Sequence, residues 1–308
     1  MNRRLFLRKS STGLLAAGML GRLSLTESGT LQPAPGTTFI ANYDTESPSC
    51  LEHLESIVNV HLKHGMPATF FIVSDILNDA SKQRVVRLLD NPLFEIGSHS
   101  KSHQLILPHP LNPRTGNPRE QLIDSKKRLE DIFGKPMTGY ATPYAYVDGF
   151  KGHKDILEIV QEAGYKYITT ICWGPGFSLP APITDPFTYA ADGFPELWEI
   201  PKHGWHENVL KGHTNVDSVA LLNWPSPWPD GAIPKGPIKK PEEEFVVNKV
   251  FLDLAVREKK KHLTLAWHPW SIGRFDPKMK ALDMTFAYVK KQGIKSGTFE
   301  GLYRELVS

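Results

Sequence analysis

Apolar and polar residues alternate with two different periods along the chain from residue 37 onward. Short apolar runs rich in β-branched and aromatic residues predict strands, whereas longer segments with apolar residues three and four positions apart predict helices. The predicted strands cover residues 37–43, 67–73, 94–98, 137–142, 166–172, 197–200, 263–267 and 294–299. The predicted helices cover residues 50–64, 79–90, 118–133, 151–163, 242–260, 276–292 and 300–306.

The regular alternation of these elements predicts the fold class. Strands that alternate with helices are typical of a parallel α/β fold. Seven or eight strand-helix units favour a closed or nearly closed barrel, and a chain of 308 residues has room for one barrel of about 250 residues. We therefore predict a (β/α)7–8 barrel over residues 37–308, with its functional groups at the carboxyl ends of the strands.

One segment after the fifth predicted strand, residues 174–241, departs from this alternation. It contains twelve of the 25 prolines and four of the seven tryptophans, which are Trp198, Trp205, Trp224 and Trp228. Long insertions without regular structure are uncommon in compact domains and usually have a function. Two interpretations are open: the aromatic side chains stack against a ligand such as a sugar ring, or they only pin the insertion to the barrel.

The amino terminus has the layout of an export signal. Residues 1–9 are basic and residues 13–25 are mostly apolar, but this stretch is shorter than the roughly 20 residues that cross a bilayer. The Arg-Arg-x-Phe-Leu sequence that begins at Arg3 is typical of bacterial twin-arginine signals. We predict a twin-arginine-like signal peptide over residues 1–28, a linker over 29–36, and a periplasmic or extracellular protein without a membrane span.

Charge and cysteine content narrow the classes of function. Loss of residues 1–26 would remove five basic residues and no acidic one, so the net charge would change from +3 to −2. The remainder has no clustered basic face, and we predict no nucleic-acid partner. The two cysteines, Cys50 and Cys172, allow at most one disulfide, and two buried free thiols are an equally good interpretation. The sequence does not indicate an oligomeric state.

Residues that carry chemistry follow three of the predicted strands. The first strand ends in Asp44 and Glu46, whose side chains face the same way because alternate strand residues share a face. His99 and His103 follow the third strand four residues apart, so on a helical turn both rings could reach one divalent metal ion. His268 follows the seventh strand. These side chains are expected to meet at one rim of the barrel.

The order of these motifs resembles the polysaccharide deacetylase family, also called the NodB homology domain or carbohydrate esterase family four. The shared features are the acidic pair at Asp44, a Pro-Ala-Thr-Phe-Phe strand that begins at Pro67, the His-Ser-x-x-His motif at His99, a Thr-Pro-Tyr turn at Thr142, Trp173, and a Leu-x-x-His motif that ends at His268. The resemblance covers residues 37–308 and identifies the chain as a divergent member of the family.

The resemblance implies a distorted barrel that binds a divalent metal ion, commonly zinc, and hydrolyses N-acetyl or O-acetyl groups of a glycan. By position it implies that His99 and His103 are metal ligands and that His268 is the general acid. The backbone at Tyr144 lies where the family holds the oxyanion.

The acidic pair leaves two assignments open. The resemblance implies adjacent aspartates, with the first as general base and the second as metal ligand, whereas here one residue separates Asp44 from Glu46. We favour Asp44 as the base and Glu46 as the ligand. In the alternative, Asp44 itself binds the metal.

Two positions depart from the family pattern. Ala141 stands where the resemblance implies an arginine that pairs with the base, so the pKa of Asp44 is expected to be less depressed. Cys172 stands where an aspartate would orient the acid histidine. Loss of such partners typically lowers activity about tenfold to a hundredfold when nothing compensates.

Two other functions remain open. Asn42-Tyr43-Asp44 resembles the first motif of allantoinase-like relatives, which hydrolyse a small amide on the same fold. The replacements at Ala141 and Cys172 are also consistent with a glycan-binding pseudoenzyme that has kept the barrel and lost turnover.

Overall fold

The computed structural model of the protein describes residues 36–214 and 228–308. The signal peptide predicted over 1–28, nearly all of the linker predicted over 29–36, and Trp224 lie outside the described residues. Those assignments stay predictions. Among the helices of the described ranges, none is both long enough and apolar enough to cross a bilayer.

A mainly parallel sheet forms the centre of the fold. Its strands are β1 (Thr38–Thr45), β2 (Ala68–Ile72), β3 (Phe94–Ser98), β4 (Gly139–Tyr146), β5 (Tyr167–Ile171), β6 (Phe187–Tyr189), β7 (Phe194–Glu199), β8 (His262–Trp267) and β9 (Lys295–Gly297). The strand order is β6-β7-β5-β4-β3-β2-β1-β8, and β9 pairs with the start of β1. The pairs are parallel except for β6 with β7.

Helices connect most of the parallel strands. They are α1 (Pro48–His64), α2 (Lys82–Leu89), α3 (Ser125–Phe133), α4 (Lys154–Glu162), α5 (Glu207–Leu210), α6 (Pro241–Arg257), α7 (Pro269–Phe275), α8 (Lys280–Lys291) and α9 (Phe299–Val307). A π-helical turn, Glu120–Asp124, leads into α3. The α/β prediction is confirmed, and each predicted strand and helix is present within a few residues of its expected bounds. The sequence pattern missed β6, α5 and α7.

The strand β1 is buried along its whole length because it packs on both faces. Phe39 and Tyr43 belong to the main core between the sheet and the helices. Ile40, on the opposite face, packs inside the barrel with Phe71 and Phe299. Side chains therefore fill the interior of the barrel around Ile40.

The barrel is not closed by strand pairing, because its edge strands β6 and β8 form no pair with each other in the described residues. The segment after β7 bridges this opening. His203 N–H donates to Thr264 O at 3.2 Å, and Lys202 N–H donates to Ile171 O at 2.9 Å. The predicted barrel is thus an open, distorted one, and the bridging segment brings Lys202 to its rim.

The insertion predicted over residues 174–241 contains regular structure, namely β6, β7 and α5. Trp198 packs against the inner cluster of the barrel. Trp205 Nε1 donates to Ala232 O at 2.8 Å, and the ring of Trp228 lies 5.4 Å from that of Phe251. These contacts support the interpretation that the three tryptophans pin the insertion to the barrel.

Both cysteines are buried inside the fold. Cys50 in α1 and Cys172 after β5 are free thiols, so the disulfide alternative is not realised. Burial raises the pKa of the Cys172 thiol to about 12. That thiol is therefore neutral near pH 7.

Substitution Phe299→Ala should destabilise the protein by about 3–5 kcal/mol, because it opens a cavity inside the barrel. Phe299 is fully buried, and its ring lies 5.3 Å from Phe71 and 5.8 Å from Tyr167. Urea unfolding followed by tryptophan fluorescence measures the change. Val307→Ala on the same helix is the control, because Val307 is 52% exposed and its truncation should change the free energy of unfolding by less than about 0.5 kcal/mol. Equal effects of the two changes would contradict this account of the core.

Candidate metal and catalytic site

A cavity of about 160 Å³ opens at the carboxyl ends of the strands. Its walls include all six residues that the sequence singles out: Asp44, Glu46, His99, His103, Tyr144 and His268. The strands β1, β3, β4 and β8 deliver them, because the carboxyl ends of parallel strands meet at the same rim. The structure thus brings the predicted site residues together.

Glu46, His99 and His103 form a group that could hold a metal ion. Each offers one ligand atom, and these atoms lie within 4.8 Å of one another. His99 Nδ1 lies 2.9 Å from Ala141 O, which favours a proton on Nδ1 and leaves Nε2 available as a ligand. His103 Nε2 lies 2.9 Å from Glu46 Oε2. This donor set suits zinc and related divalent ions.

The loop that carries the two histidines is not helical, so the predicted helical turn is wrong. Ser100 and His103 have positive φ angles of 73° and 58°. The His103 N–H donates to Ser100 Oγ at 3.0 Å and closes a tight turn. This turn, rather than the spacing of a helix, brings the ring centroids of His99 and His103 to 5.2 Å.

Gln121 ties this loop to the helix layer. It is buried, its Oε1 accepts from the Ser102 N–H at 3.1 Å, and its Nε2 donates to Ser102 Oγ at 3.1 Å. Gln121 lies in the π-helical turn Glu120–Asp124. Such turns are frequent at functional sites because the wider turn redirects a side chain. Here the redirected amide holds the loop that presents His103.

Asp44 contacts a partner that the sequence motifs do not reveal. Lys202 Nζ lies 2.7 Å from both carboxylate oxygens of Asp44, and the lysine side chain is only 3% exposed. Burial raises the pKa of Asp44, but Lys202, His99 and His268 together outweigh burial, with Lys202 the largest of the three, and the pKa falls to about 2. The expectation from Ala141 that the pKa of Asp44 is less depressed is therefore wrong. The cation comes from the segment after β7.

Glu207, the first residue of α5, holds His268. Glu207 Oε1 accepts the backbone N–H of His268 at 2.6 Å and lies 3.0 Å from its Nδ1. Burial lowers the pKa of His268, but the carboxylates of Glu46 and Glu207 outweigh burial and raise it to about 9. The carboxylate that the resemblance places at Cys172 therefore has a counterpart in Glu207.

The second oxygen of Glu207 is also occupied. It accepts from Ser271 Oγ at 2.7 Å and from Lys211 Nζ at 3.1 Å. Lys211 in turn lies 3.2 Å from Glu244. Burial raises the pKa of Glu207, yet Lys211 and the hydrogen bond with His268 lower it to about 2. Glu207 is thus an ionised carboxylate, and both of its oxygens have hydrogen-bond partners.

Trp270 fixes the remaining oxygen of Glu46. Trp270 Nε1 donates to Glu46 Oε1 at 2.8 Å, while Oε2 lies 3.7 Å from His268 Nε2. Burial raises the pKa of Glu46, but His268 and His103 hold it well below its usual range. Glu46 therefore stays ionised, as a metal ligand must.

A bulge in β4 places Tyr144 on the cavity wall. The pairing of β4 with β5 shifts between Ala141 and Tyr146, and Tyr144 and Ala145 have positive φ angles of 63° and 57°. Trp173 Nε1 donates to Tyr144 O at 2.7 Å. Bulges and strained backbone of this kind often re-aim groups next to active sites.

The sequence motifs missed Lys202, Glu207 and Trp270. Lys202 and Glu207 lie in a segment that the motif pattern does not cover. One signal could have found them: they are a lysine and a glutamate in a histidine-rich stretch that directly follows a strand. Trp270 lies two residues after the motif histidine, where aromatic residues are usually assigned to packing.

Comparison with protein families supports the resemblance. The family model described as "Polysaccharide deacetylase" matches residues 34–168. That region contains the acidic pair, both loop histidines and Tyr144, whereas Lys202, Glu207 and His268 lie beyond it. A search among curated proteins finds no match to this chain.

Solved structures share the fold at low sequence identity. A candidate polysaccharide deacetylase from Mycobacterium smegmatis is 17% identical, with a TM-score of 0.61 over 91% of this chain and 94% of that chain. A mutant of a Bacillus anthracis pseudoenzyme of carbohydrate esterase family 4, with restored enzymatic activity, is 14% identical. Its TM-score is 0.50 over 87% of this chain and 68% of that chain. At such identities the likeness concerns the fold alone.

The motifs, the fold and the family match agree. The match over residues 34–168 covers the half of the barrel that carries the acidic pair and the loop histidines. Over residues 34–168 the chain is similar to the polysaccharide deacetylase family, and its Asp44 and His268 have their charged partners within residues 202–207.

Proposed function

We propose that the protein is a metal-dependent hydrolase that removes N-acetyl or O-acetyl groups from a glycan outside the cytoplasm. One observation carries this proposal. A possible metal-binding group of Glu46, His99 and His103 lies in the same cavity as the paired carboxylate of Asp44 and the imidazole of His268. The similarity to the polysaccharide deacetylase family supports acetyl hydrolysis, and the twin-arginine-like amino terminus supports export.

The residues present fit a divalent metal ion, and we propose zinc. Burial lowers the pKa of His99 to about 4, so its imidazole is neutral and able to act as a ligand at pH 7. Glu46 supplies the negative charge. Two imidazoles and one carboxylate form a known ligand set of catalytic zinc sites, which keep a further position open. When bound, such an ion would polarise the acetyl carbonyl and make a water molecule more acidic.

The remaining side chains supply the proton transfers. Asp44, ionised at neutral pH, accepts the proton of the attacking water at a carboxylate oxygen. His268, held by Glu207 at Nδ1, donates a proton from Nε2 to the departing amine or alcohol. The Tyr144 backbone lies on the cavity wall, where an N–H would stabilise the developing oxyanion.

Acetate release tests the proposed reaction. The purified protein, loaded with zinc, should release acetate from N-acetylglucosamine oligomers or from acetylated xylan, and a chelator should abolish the release until metal is restored. His99→Ala should remove bound metal and reduce acetate release to background, because it deletes one of three ligand atoms. His153→Ala, which changes an exposed histidine at the start of α4, is the matched control and should behave as the native protein. Release that persists without metal would rule out this mechanism.

The pH profile tests the role of His268. A general acid must be protonated, so activity falls as pH rises through its pKa. Glu207→Gln removes a carboxylate that raises the pKa of His268, so the alkaline limb of kcat/KM should move to lower pH by about one unit. The acidic limb should stay in place. A profile measured between pH 5 and pH 10 that does not change would show that His268 is not the titrating acid.

A small amide is a second candidate substrate, because Asn42-Tyr43-Asp44 at the end of β1 resembles the first motif of allantoinase-like relatives. Asp44 of this motif lines the cavity. A substrate panel that includes ureides such as allantoin separates the two functions by kcat/KM.

A glycan-binding pseudoenzyme is the remaining alternative. The paired charges at Asp44 and His268 argue against it, because a site without turnover has no need to keep a buried ion pair at each proton-transfer group. Glycan binding without acetate release from any member of the panel would establish it.

A further inference from the structure

Two carboxylates at the end of β1 could each serve as the metal ligand. Asp44 and Glu46 are two residues apart, and both line the cavity that contains His99 and His103. Only Glu46 belongs to the group whose ligand atoms converge. Carboxylates of aspartate and glutamate are equally suitable as metal ligands. Ligand chemistry alone therefore does not explain which one joins the histidines.

The side chain of Lys202 accounts for the difference. Its Nζ contacts both oxygens of Asp44 at 2.7 Å, whereas the oxygens of Glu46 contact Trp270 and His103. The ammonium group also lies over the face of the Phe71 ring, 5.4 Å from the ring centre.

The backbone fixes Lys202 at this point. The Lys202 N–H donates to Ile171 O at 2.9 Å, and the next residue, His203, donates to Thr264 O at 3.2 Å. The segment is therefore bonded to β5 on one side and to β8 on the other. A lysine anchored in this way keeps its ammonium group beside Asp44.

We propose that Lys202 decides which carboxylate becomes the metal ligand, by holding Asp44 out of the coordination sphere and so keeping one metal position open. This inference rests on the metal site of the proposed function. Lys202 is thus a positioning residue rather than a catalytic one, and it acts through Asp44.

Removal of the lysine charge should release Asp44 towards the metal. An ionised carboxylate that is buried without a partner costs several kcal/mol. With Lys202 replaced by an apolar residue, a bound cation in the same cavity becomes the strongest partner for Asp44. A fourth protein ligand would close the site, as in structural metal sites.

Cobalt(II) reports a change of ligands directly, because the position and intensity of its visible absorption depend on the kind and number of ligands. In the full chain loaded with Co²⁺, Lys202→Met should shift this absorption, because the Asp44 carboxylate takes the open position, and should tighten Co²⁺ binding by about tenfold. Lys202→Met combined with Asp44→Asn should restore the spectrum of the native protein, because the added ligand is lost. Lys211→Met is the matched control, since it removes another fully buried ammonium group that contacts Glu207 and Glu244 instead of Asp44, and its spectrum should not change.

A pair of single variants keeps the test valid if Lys202→Met fails to fold. With Lys202 intact, Asp44→Asn should leave the Co²⁺ spectrum unchanged, whereas Glu46→Gln should weaken Co²⁺ binding at least about tenfold. A Lys202→Met spectrum identical to that of the native protein overturns the inference. So does an altered spectrum that persists in the double variant, or an Asp44→Asn change as large as that of Glu46→Gln.

These outcomes are separable from those of the proposed function. If the Lys202 variants show the expected cobalt spectra but the native protein releases no acetate from any substrate, the proposed reaction is refuted and the role of Lys202 stands. If the native protein releases acetate but the Lys202 variants lack the expected cobalt spectra, only the role of Lys202 is refuted. Failure of the native protein to bind Co²⁺ refutes the inference together with the metal site.

Discussion

The buried ion pair between Lys202 and Asp44 is the contact on which the arrangement of the cavity depends. Each charge would be costly without the other, because neither side chain is accessible enough to be solvated by water. The pair joins β1 to the segment after β7, which bridges the opening of the barrel and is bonded to β5 and β8. The open barrel therefore has a consequence: the opening admits a segment that carries charged side chains into the site. A barrel closed by strand pairing would leave no such path.

The same segment reaches the opposite wall through Glu207, five residues after Lys202. Glu207 binds both the backbone and the ring of His268, and it is held in turn by Ser271 and Lys211. One short stretch of chain thus holds both the proposed base and the proposed acid. A displacement of this stretch would disturb both proton transfers at once, which ties the activity of the site to the packing of the insertion.

The sequence predicts the fold and the rim of the site well, because both depend on local patterns. Period and length distinguish strands from helices, and parallel strands bring residues such as Asp44 and His268 to one edge regardless of their separation. The partners of these residues follow no local pattern. Lys202 lies 158 positions from Asp44 and Glu207 lies 61 positions before His268. The turn at Ser100 also escapes prediction, since its positive φ has no glycine to mark it.

The replacements at Ala141 and Cys172 have a different meaning once these contacts are known. Read from motifs alone, the loss of two charged partners indicates a degenerate site. In the structure, Ala141 packs in the same cluster as Phe71, over whose ring the Lys202 ammonium group lies, so a small residue there leaves room for a charge from another segment. A site of this kind depends on where a charge lies in space, and the chain position that supplies the charge is free to change. The motif test for a pseudoenzyme therefore requires the structure as well as the sequence.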